Sequence, residues 1–238
     1  DTYCFTEPKR HMGMFNGLLT GQCLEYLAPT KPYKNILELY ATGEEAEKTE
    51  GETAICNLAA ISVGKTPLTF DKYYPLAFHT LLMVDNVIDV GTFPLPQVEY
   101  TAKARRTAGV GITNLAYAMA SQGYSYSSQE GKDFSHRLAE LHTYCLLKAS
   151  VQLAKERGPC KWFDKTRYSE GWLPIDTYEK KVDSIVKPEY KRDWEGLRKK
   201  IIANGGIRNS VVCAIMPAES SSVASETTNS VYPIRDFD

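Results

Sequence analysis

The sequence predicts an α/β fold with long helical insertions, and three observations carry that expectation. Only three stretches read as strands or hairpins, residues 12–28, 53–63 and 207–216, and a long run between the last two has helical character. The longest helical segment, residues 129–157, sets Phe134, Leu138, Leu141 and Cys145 at i, i+4, i+7 and i+11, the spacing of one buried stripe. The composition suits a globular chain: 43% of the 238 residues are hydrophobic and 24% charged, too apolar for a disordered polypeptide.

Taken in order, residues 12–28 alternate apolar and small polar side chains around Asn16-Gly17, a hairpin turn signal, and end near Pro29. Residues 30–52 are polar and acidic and read as an exposed loop with one short helix. Residues 53–63 are short, apolar and closed by Gly64, the signature of a buried strand. A helix is expected from Thr69-Phe70-Asp71 to Asp89, stopped by Gly91 and Pro94. A second helix over 97–107 is punctuated by Gly109 and Gly111, and a third continues from Ile112 to Ser121. After the long helix, Gly158-Pro159 stops the chain, and 160–172 is aromatic and irregular. Residues 174–183 and 190–203 are further helix candidates. Residues 207–216 read as a buried strand, and Pro217-Ala218-Glu219 as a helix start, with Pro at the first helical position and an acid in the first turn. No domain boundary interrupts this order.

Bulk properties exclude several classes. A net charge of −1 leaves no surplus of Lys and Arg for general nucleic-acid binding. No apolar run reaches the roughly 18 residues of a membrane span, and no signal peptide is evident. The cysteines at 4, 23, 56, 145, 160 and 213 show neither disulfide-scaffold density nor a zinc spacing, and the histidines at 11, 79, 136 and 142 do not pair at i,i+4. No metal site is expected, and a reducing cytoplasm (host cytoplasm for a viral chain) is the default compartment.

Four constellations are able to carry chemistry. In Thr20-Gly21-Gln22-Cys23-Leu24-Glu25, a strand would point Cys23 and Glu25 to the same side, joining a sulfur that does redox, radical or nucleophilic work to a carboxylate that moves a proton. Spacing alone favours a plainer reading, a buried structural cysteine beside a solvated acid. Cys56 in its strand reads plainly as a core filler, and a Cys23–Cys56 disulfide stays open because the sequence does not fix their separation. Met216-Pro217-Ala218-Glu219-Ser220-Ser221-Ser222 suits a phosphate cradle of amides and hydroxyls, while composition alone favours an ordinary Ser-rich cap or a flexible tail. In Arg105-Arg106-Thr107-Ala108-Gly109-Val110-Gly111, two glycines in a helical run signal close packing or a break, not a dinucleotide fingerprint. Cys4, Cys145, Cys160, Cys213, His79, His136 and His142 read as structural. A thiolate–imidazole pair of Cys23 and His11 would make a cysteine hydrolase, but leaves the other motifs unexplained.

Together, and in order, these segments resemble the large, catalytic subunit of ribonucleotide reductase. Gln22-Cys23-Leu24-Glu25 followed by Ala28-Pro29-Thr30-Lys31-Pro32 looks like its active-site finger loop. Gly51 to Ala60 looks like the strand of the second redox cysteine. The Arg105–Gly111 stretch is similar to the family's Arg-Arg/Gly signature. Leu173 to Tyr178, Asp193 to Arg198 and Gly206-Ile207-Arg208-Asn209-Ser210 also match family segments, and Met216 to Ser221 looks like the substrate-phosphate loop.

The resemblance implies part of a ten-stranded α/β barrel with a central finger loop and long helical segments. The whole of 1–238 would be a partial catalytic barrel domain, with the finger loop at about 12–32, the redox-cysteine strand at about 53–63, a helical region at 68–204, and the strand and phosphate loop at 207–225. It implies ribonucleotide reduction for DNA-precursor supply, with Cys23 as transient thiyl radical, Glu25 as general base and Cys56 as half of a reducing dithiol. Gly21, Gln22, Cys23, Pro217, Ala218, Glu219, Ser220 and Ser221 would meet the substrate. No cofactor is expected on this chain. The radical would come from a small di-iron partner subunit or from adenosylcobalamin, and electrons from thioredoxin or glutaredoxin. Two positions depart from the family: Gly21 stands where an Asn normally bonds the sugar, and Ala218 where a Ser is common. The chain starts at Asp1 without Met and stops after a Ser-rich stretch, which reads as a fragment or split-gene piece completed by a companion chain. The alternative is a catalytically inactive remnant or interaction module of the same family.

Overall fold

A computed structural model describes residues 12–15, 18–21, 28–55, 57–187 and 189–234, with the backbone alone for the first two segments. Those two are β1 (Met12–Phe15) and β2 (Leu18–Gly21). They pair antiparallel with Phe15 opposite Leu18, the register that a two-residue connection at Asn16-Gly17 requires. Residues 30–52 hold a 3-10 turn, Ile36–Tyr40, capped by Asn35, and one short helix, α1 (Gly43–Lys48).

Next come β3 (Asn57–Ser62), then α2 (Phe70–Val90), ended at Gly91 as predicted, and α3 (Pro96–Arg105), which carries Pro in its first turn. The chain then departs from the sequence expectation. Ala108 to Ile112 does not join two helices but forms β4 (Ala108–Thr113), buried at all six positions. Val110 and Ile112 prefer extended backbone, and the alternating glycines make room for neighbours. A Cβ on Gly109 would sit 2.6 Å from Leu58 Cδ2, and one on Gly111 would sit 2.3 Å from the Ala214 carbonyl oxygen. The expected third helix is therefore only α4 (Leu115–Ala120), and the helical region is split by a central strand.

α5 (Gln129–Arg157) has the predicted bounds, and its stripe of Phe134, Leu138, Leu141 and Cys145 is buried. The Phe and Leu side chains of this stripe each contribute about 1.5–3 kcal/mol by burial. Residues 174–183 yield one turn, α6 (Pro174–Thr177), and a 3-10 stretch, Lys180–Ser184. The next predicted helix is α7 (Trp194–Ala203), with Asp193 capping the Gly196 amide at 2.8 Å. The last is α8 (Glu219–Ala224).

β3 and β4 pair in parallel, Asn57 opposite Ala108 through Ser62 opposite Thr113. β3 is half-buried where a buried strand is expected. Only Ile61 is sealed and Leu58 is 42% exposed, because no described strand pairs with its other edge. Residues 207–216 do not form the expected regular strand: 207–210 carry bends, and 211–216 run along the far edge of β4. The amides of Ala108 and Val110 donate to the carbonyls of Val211 and Val212. Donors two positions apart thus meet acceptors one apart, and the evenly spaced parallel ladder is lost, leaving a bridge at Val110–Cys213. α2 and α5 pack against this sheet and against each other, and Trp194, Leu197 and Ile201 of α7 complete the core. Among the described residues no helix is long and apolar enough to cross a membrane.

Candidate functional site

The extended run beside β4 leads into Pro217. Met216 and Ala218 are buried, while Pro217, Glu219, Ser220 and Ser221 are exposed. Ala218 is the N-cap of α8, so Pro217 lies one position before the cap and not at the first helical position. The opening amides of a helix have no acceptor within it. Opposite them stand Leu58, Ala59 and Ala60 of β3, and the two segments line one cleft of about 360 Å³. The loop predicted to hold phosphate and the strand that follows Cys56 therefore share a cavity. Ser221 Oγ donates to the Ala218 carbonyl (3.2 Å) and Ser222 Oγ to that of Glu219 (2.9 Å). Ala218 has no side-chain oxygen, and its amide donates instead to Asn229 Oδ1 at 3.1 Å.

Gly21 closes β2, opposite Met12. Gln22, Cys23, Glu25 and Cys56 lie outside the described residues, as do Cys4 and His11. Their chain neighbours are nonetheless brought together. Lys31, downstream of Cys23, and Glu52, upstream of Cys56, exchange backbone hydrogen bonds of 3.1 and 3.0 Å. Ala28 and Pro29 face Thr53, Ala54 and Ile55 across a cavity of only about 10 Å³. Thr107 Oγ1 donates to the Ile55 carbonyl at 2.6 Å. The chain leaving the Cys23 segment and the chain entering the Cys56 segment are clamped side by side, with the buried carboxylate of Glu52 tied to Arg105.

The other described thiols are poorly suited to chemistry. Burial pushes Cys145 up to about 12, and Cys160 and Cys213 up to about 11, so all three stay protonated near neutrality and free of disulfides. His142 is buried, and desolvation lowers it to about 4. Its Nε2–H donates to the Val110 carbonyl (2.9 Å), and its Nδ1 accepts from the Tyr73 hydroxyl (2.7 Å). That neutral imidazole ties α2 and α5 to β4. Among the described residues no group of three or more His, Cys, Asp or Glu is placed to hold a metal ion.

A second buried network, which composition and spacing did not reveal, joins two of the sequence motifs. Asp85 of α2 accepts from Arg106 Nε (2.7 Å), Arg208 Nε (3.1 Å) and Asn209 Nδ2 (3.0 Å). Arg106, in the left-handed conformation at φ 51°, also binds Asp89, and this pairing holds the Asp89 carboxyl below its usual range. Asn209 additionally donates to the Arg106 carbonyl and accepts from Ser150 Oγ. The network fixes the start of the run that ends at Pro217. The acid that gathers these cations sits mid-helix in an apolar stripe, and no local pattern marks it.

A partial parallel sheet flanked by long helices, with a Pro-led loop sharing a cleft with its outer strand, is what a piece of an α/β barrel presents. The family described as "Ribonucleotide reductase, barrel domain" matches residues 19–237, and the chain belongs to it. It is 40% identical over 213 residues to the ribonucleoside-diphosphate reductase subunit alpha of Haemophilus influenzae, covering 90% of this chain and 27% of that protein. It is 39% identical over 209 residues to the same subunit of Enterobacteria phage T4, covering 87% and 27%. It is 43% identical over 150 residues to ribonucleoside-diphosphate reductase 1 subunit alpha of Escherichia coli, covering 63% and 20%. The chain thus spans about a quarter of the length of the curated relatives it matches.

Proposed function

We propose that this chain carries the radical thiol and the diphosphate loop of a ribonucleotide reductase large subunit, and that the assembled subunit reduces ribonucleoside diphosphates to deoxyribonucleotides. The observation that carries this reading is the cleft shared by Leu58–Ala60 and the Pro217–Ser221 loop, which sets the strand after Cys56 against the loop.

In this reading Cys23, as a transient thiyl, takes the 3′ hydrogen of the sugar, a step open to sulfur because its S–H bond is weak enough to return the hydrogen later. Glu25 takes the 3′-hydroxyl proton. The 2′-hydroxyl leaves as water, and the two electrons come from Cys56 and a second thiol in the rest of the subunit, which close to a disulfide. Loop amides and hydroxyls from Glu219 to Ser221 hold the diphosphate, with Pro217 and Ala218 shaping the loop and the Ala218 amide staying on Asn229. The radical originates outside this chain, in a small di-iron partner subunit or from adenosylcobalamin, and thioredoxin or glutaredoxin re-reduces the disulfide.

The test is ribonucleoside-diphosphate reduction by the subunit assembled with the remainder of the family's sequence, comparing Cys23→Ser with the parent. Loss of turnover in the variant supports the radical role, and equal turnover overturns it. Gly21, where the family has Asn, favours a second reading, an inactive family member. Deoxyribonucleotide formation with Gly21 in place excludes that reading.

A further inference from the structure

The phosphate loop starts on a residue with no means of capping it. At an N-cap a side-chain oxygen normally takes an amide of the first turn, and Ala218 has none. The helix behind it is a single short turn and a half, so its dipole contributes little, and anion binding there depends on how firmly the loop is pre-set.

The anchor comes from beyond the helix. Asn229 Oδ1 accepts the Ala218 amide at 3.1 Å, eleven residues away in sequence. Asn229 is itself held by its neighbours. Asn114, left-handed at φ 71° just after β4, donates its amide to the Thr228 carbonyl (2.8 Å). Its Oδ1 accepts from the Thr228 amide (3.1 Å) and the Thr228 hydroxyl (3.3 Å). The Leu115 amide reaches the Ser230 carbonyl at 3.4 Å. The turn bearing Asn229 is therefore strapped to the buried end of β4, and Asn229 extends that rigidity to the first residue of the cap.

We propose that Asn229 is a positioning residue for the substrate phosphates, acting through the Ala218 amide to keep Glu219, Ser220 and Ser221 in the arrangement that lines the cleft. The proposal rests on the reading of this loop as the diphosphate site. An amide side chain suits the task because it accepts a hydrogen bond without placing negative charge beside a diphosphate.

The experiment measures steady-state reduction in the assembled reductase, and amide hydrogen exchange at Ala218, for Asn229→Ala and Ser220→Glu. For Asn229→Ala we expect faster exchange at Ala218 and a KM for the ribonucleoside diphosphate raised about tenfold, the worth of one buried hydrogen bond, with kcat unchanged. Ser220→Glu sets a charge in the loop and should raise KM further. If Ser220→Glu leaves KM unchanged, the loop is not the phosphate site and the proposal falls with that reading. If Ser220→Glu raises KM while Asn229→Ala moves neither KM nor exchange, or lowers kcat alone, only the positioning role is overturned. Should Asn229→Ala fail to fold, Asn229→Asp keeps an acceptor of the same shape. Retained protection at Ala218 in that variant supports the anchor, and lost protection overturns it.

Discussion

Glu52 receives Arg105 Nε at 3.1 Å and Nη2 at 2.7 Å on the same carboxylate oxygen, with both side chains almost wholly sealed from solvent. Its other oxygen has Lys31 and Lys165 at 3.9 and 3.8 Å, so one buried acid answers three cations. Because Lys31 and Glu52 also pair through their backbones, this carboxylate stands at the junction of the two cysteine-bearing segments.

Glu52→Gln removes the charge and leaves the Arg105 guanidinium buried without a counterion. A broken buried pair costs about 3–5 kcal/mol, and we expect a loss of that order in urea unfolding. Lys31→Ala, at an exposed ammonium nearly 4 Å away, should cost less than about 1 kcal/mol. Equal losses in the two variants would contradict the assignment of Arg105 as the main partner.

His142 predicts a specific acid sensitivity. Its folded value of about 4 lies below the ordinary 6.5, so the unfolded chain takes up a proton first. Its contribution is full above pH 6.5 and is lost as the pH falls towards 4, by about 2 kcal/mol at pH 5. Chemical denaturation at pH 7 and pH 5 checks this. A His142→Gln variant should be less stable at pH 7 and should lack most of the difference between the two.

Gly111→Ala tests the close approach at β4. Its new methyl would meet the Ala214 carbonyl oxygen at 2.3 Å and Met216 Sδ at 2.7 Å. Overpacking of this kind costs about 1–3 kcal/mol. It also presses on the run that leads into Pro217, so thermal unfolding should shift down and, with that loop as the proposed phosphate site, KM should rise together with it. The matching change at exposed Gly123, with nothing within 4 Å but φ +74°, should lower stability by about 1–2 kcal/mol and leave KM unmoved.

The long helices were legible because their stripes repeat over many turns, and α5 matches its predicted bounds. β4 was not. Its six residues carry too short an alternation to outweigh the helical segments on either side, and glycine marks a break and a close strand contact equally well. One wall of the cleft, Pro217 to Ser221, was singled out by a strand–Pro–helix reading whose strand and helix start the fold does not keep, and its far wall on β3 is a tertiary fact. Asn229 and Asp85 left no signal, since each acts through partners far away in sequence. The Arg105-Arg106 and Arg208-Asn209 motifs were visible separately, and only the fold makes them one cluster.

That cluster has a practical consequence for segment exchange with relatives. Asp85, Arg106 and Asn209 come from three separate stretches, with Asn209 and Arg106 alone 103 positions apart. A chimera whose crossover falls between Arg106 and Arg208 joins Asp85 and Arg106 of one parent to Arg208 and Asn209 of the other. Crossovers placed before α2 or after Asn209 inherit the set whole, and these are the positions at which hybrid subunits should retain their folding yield.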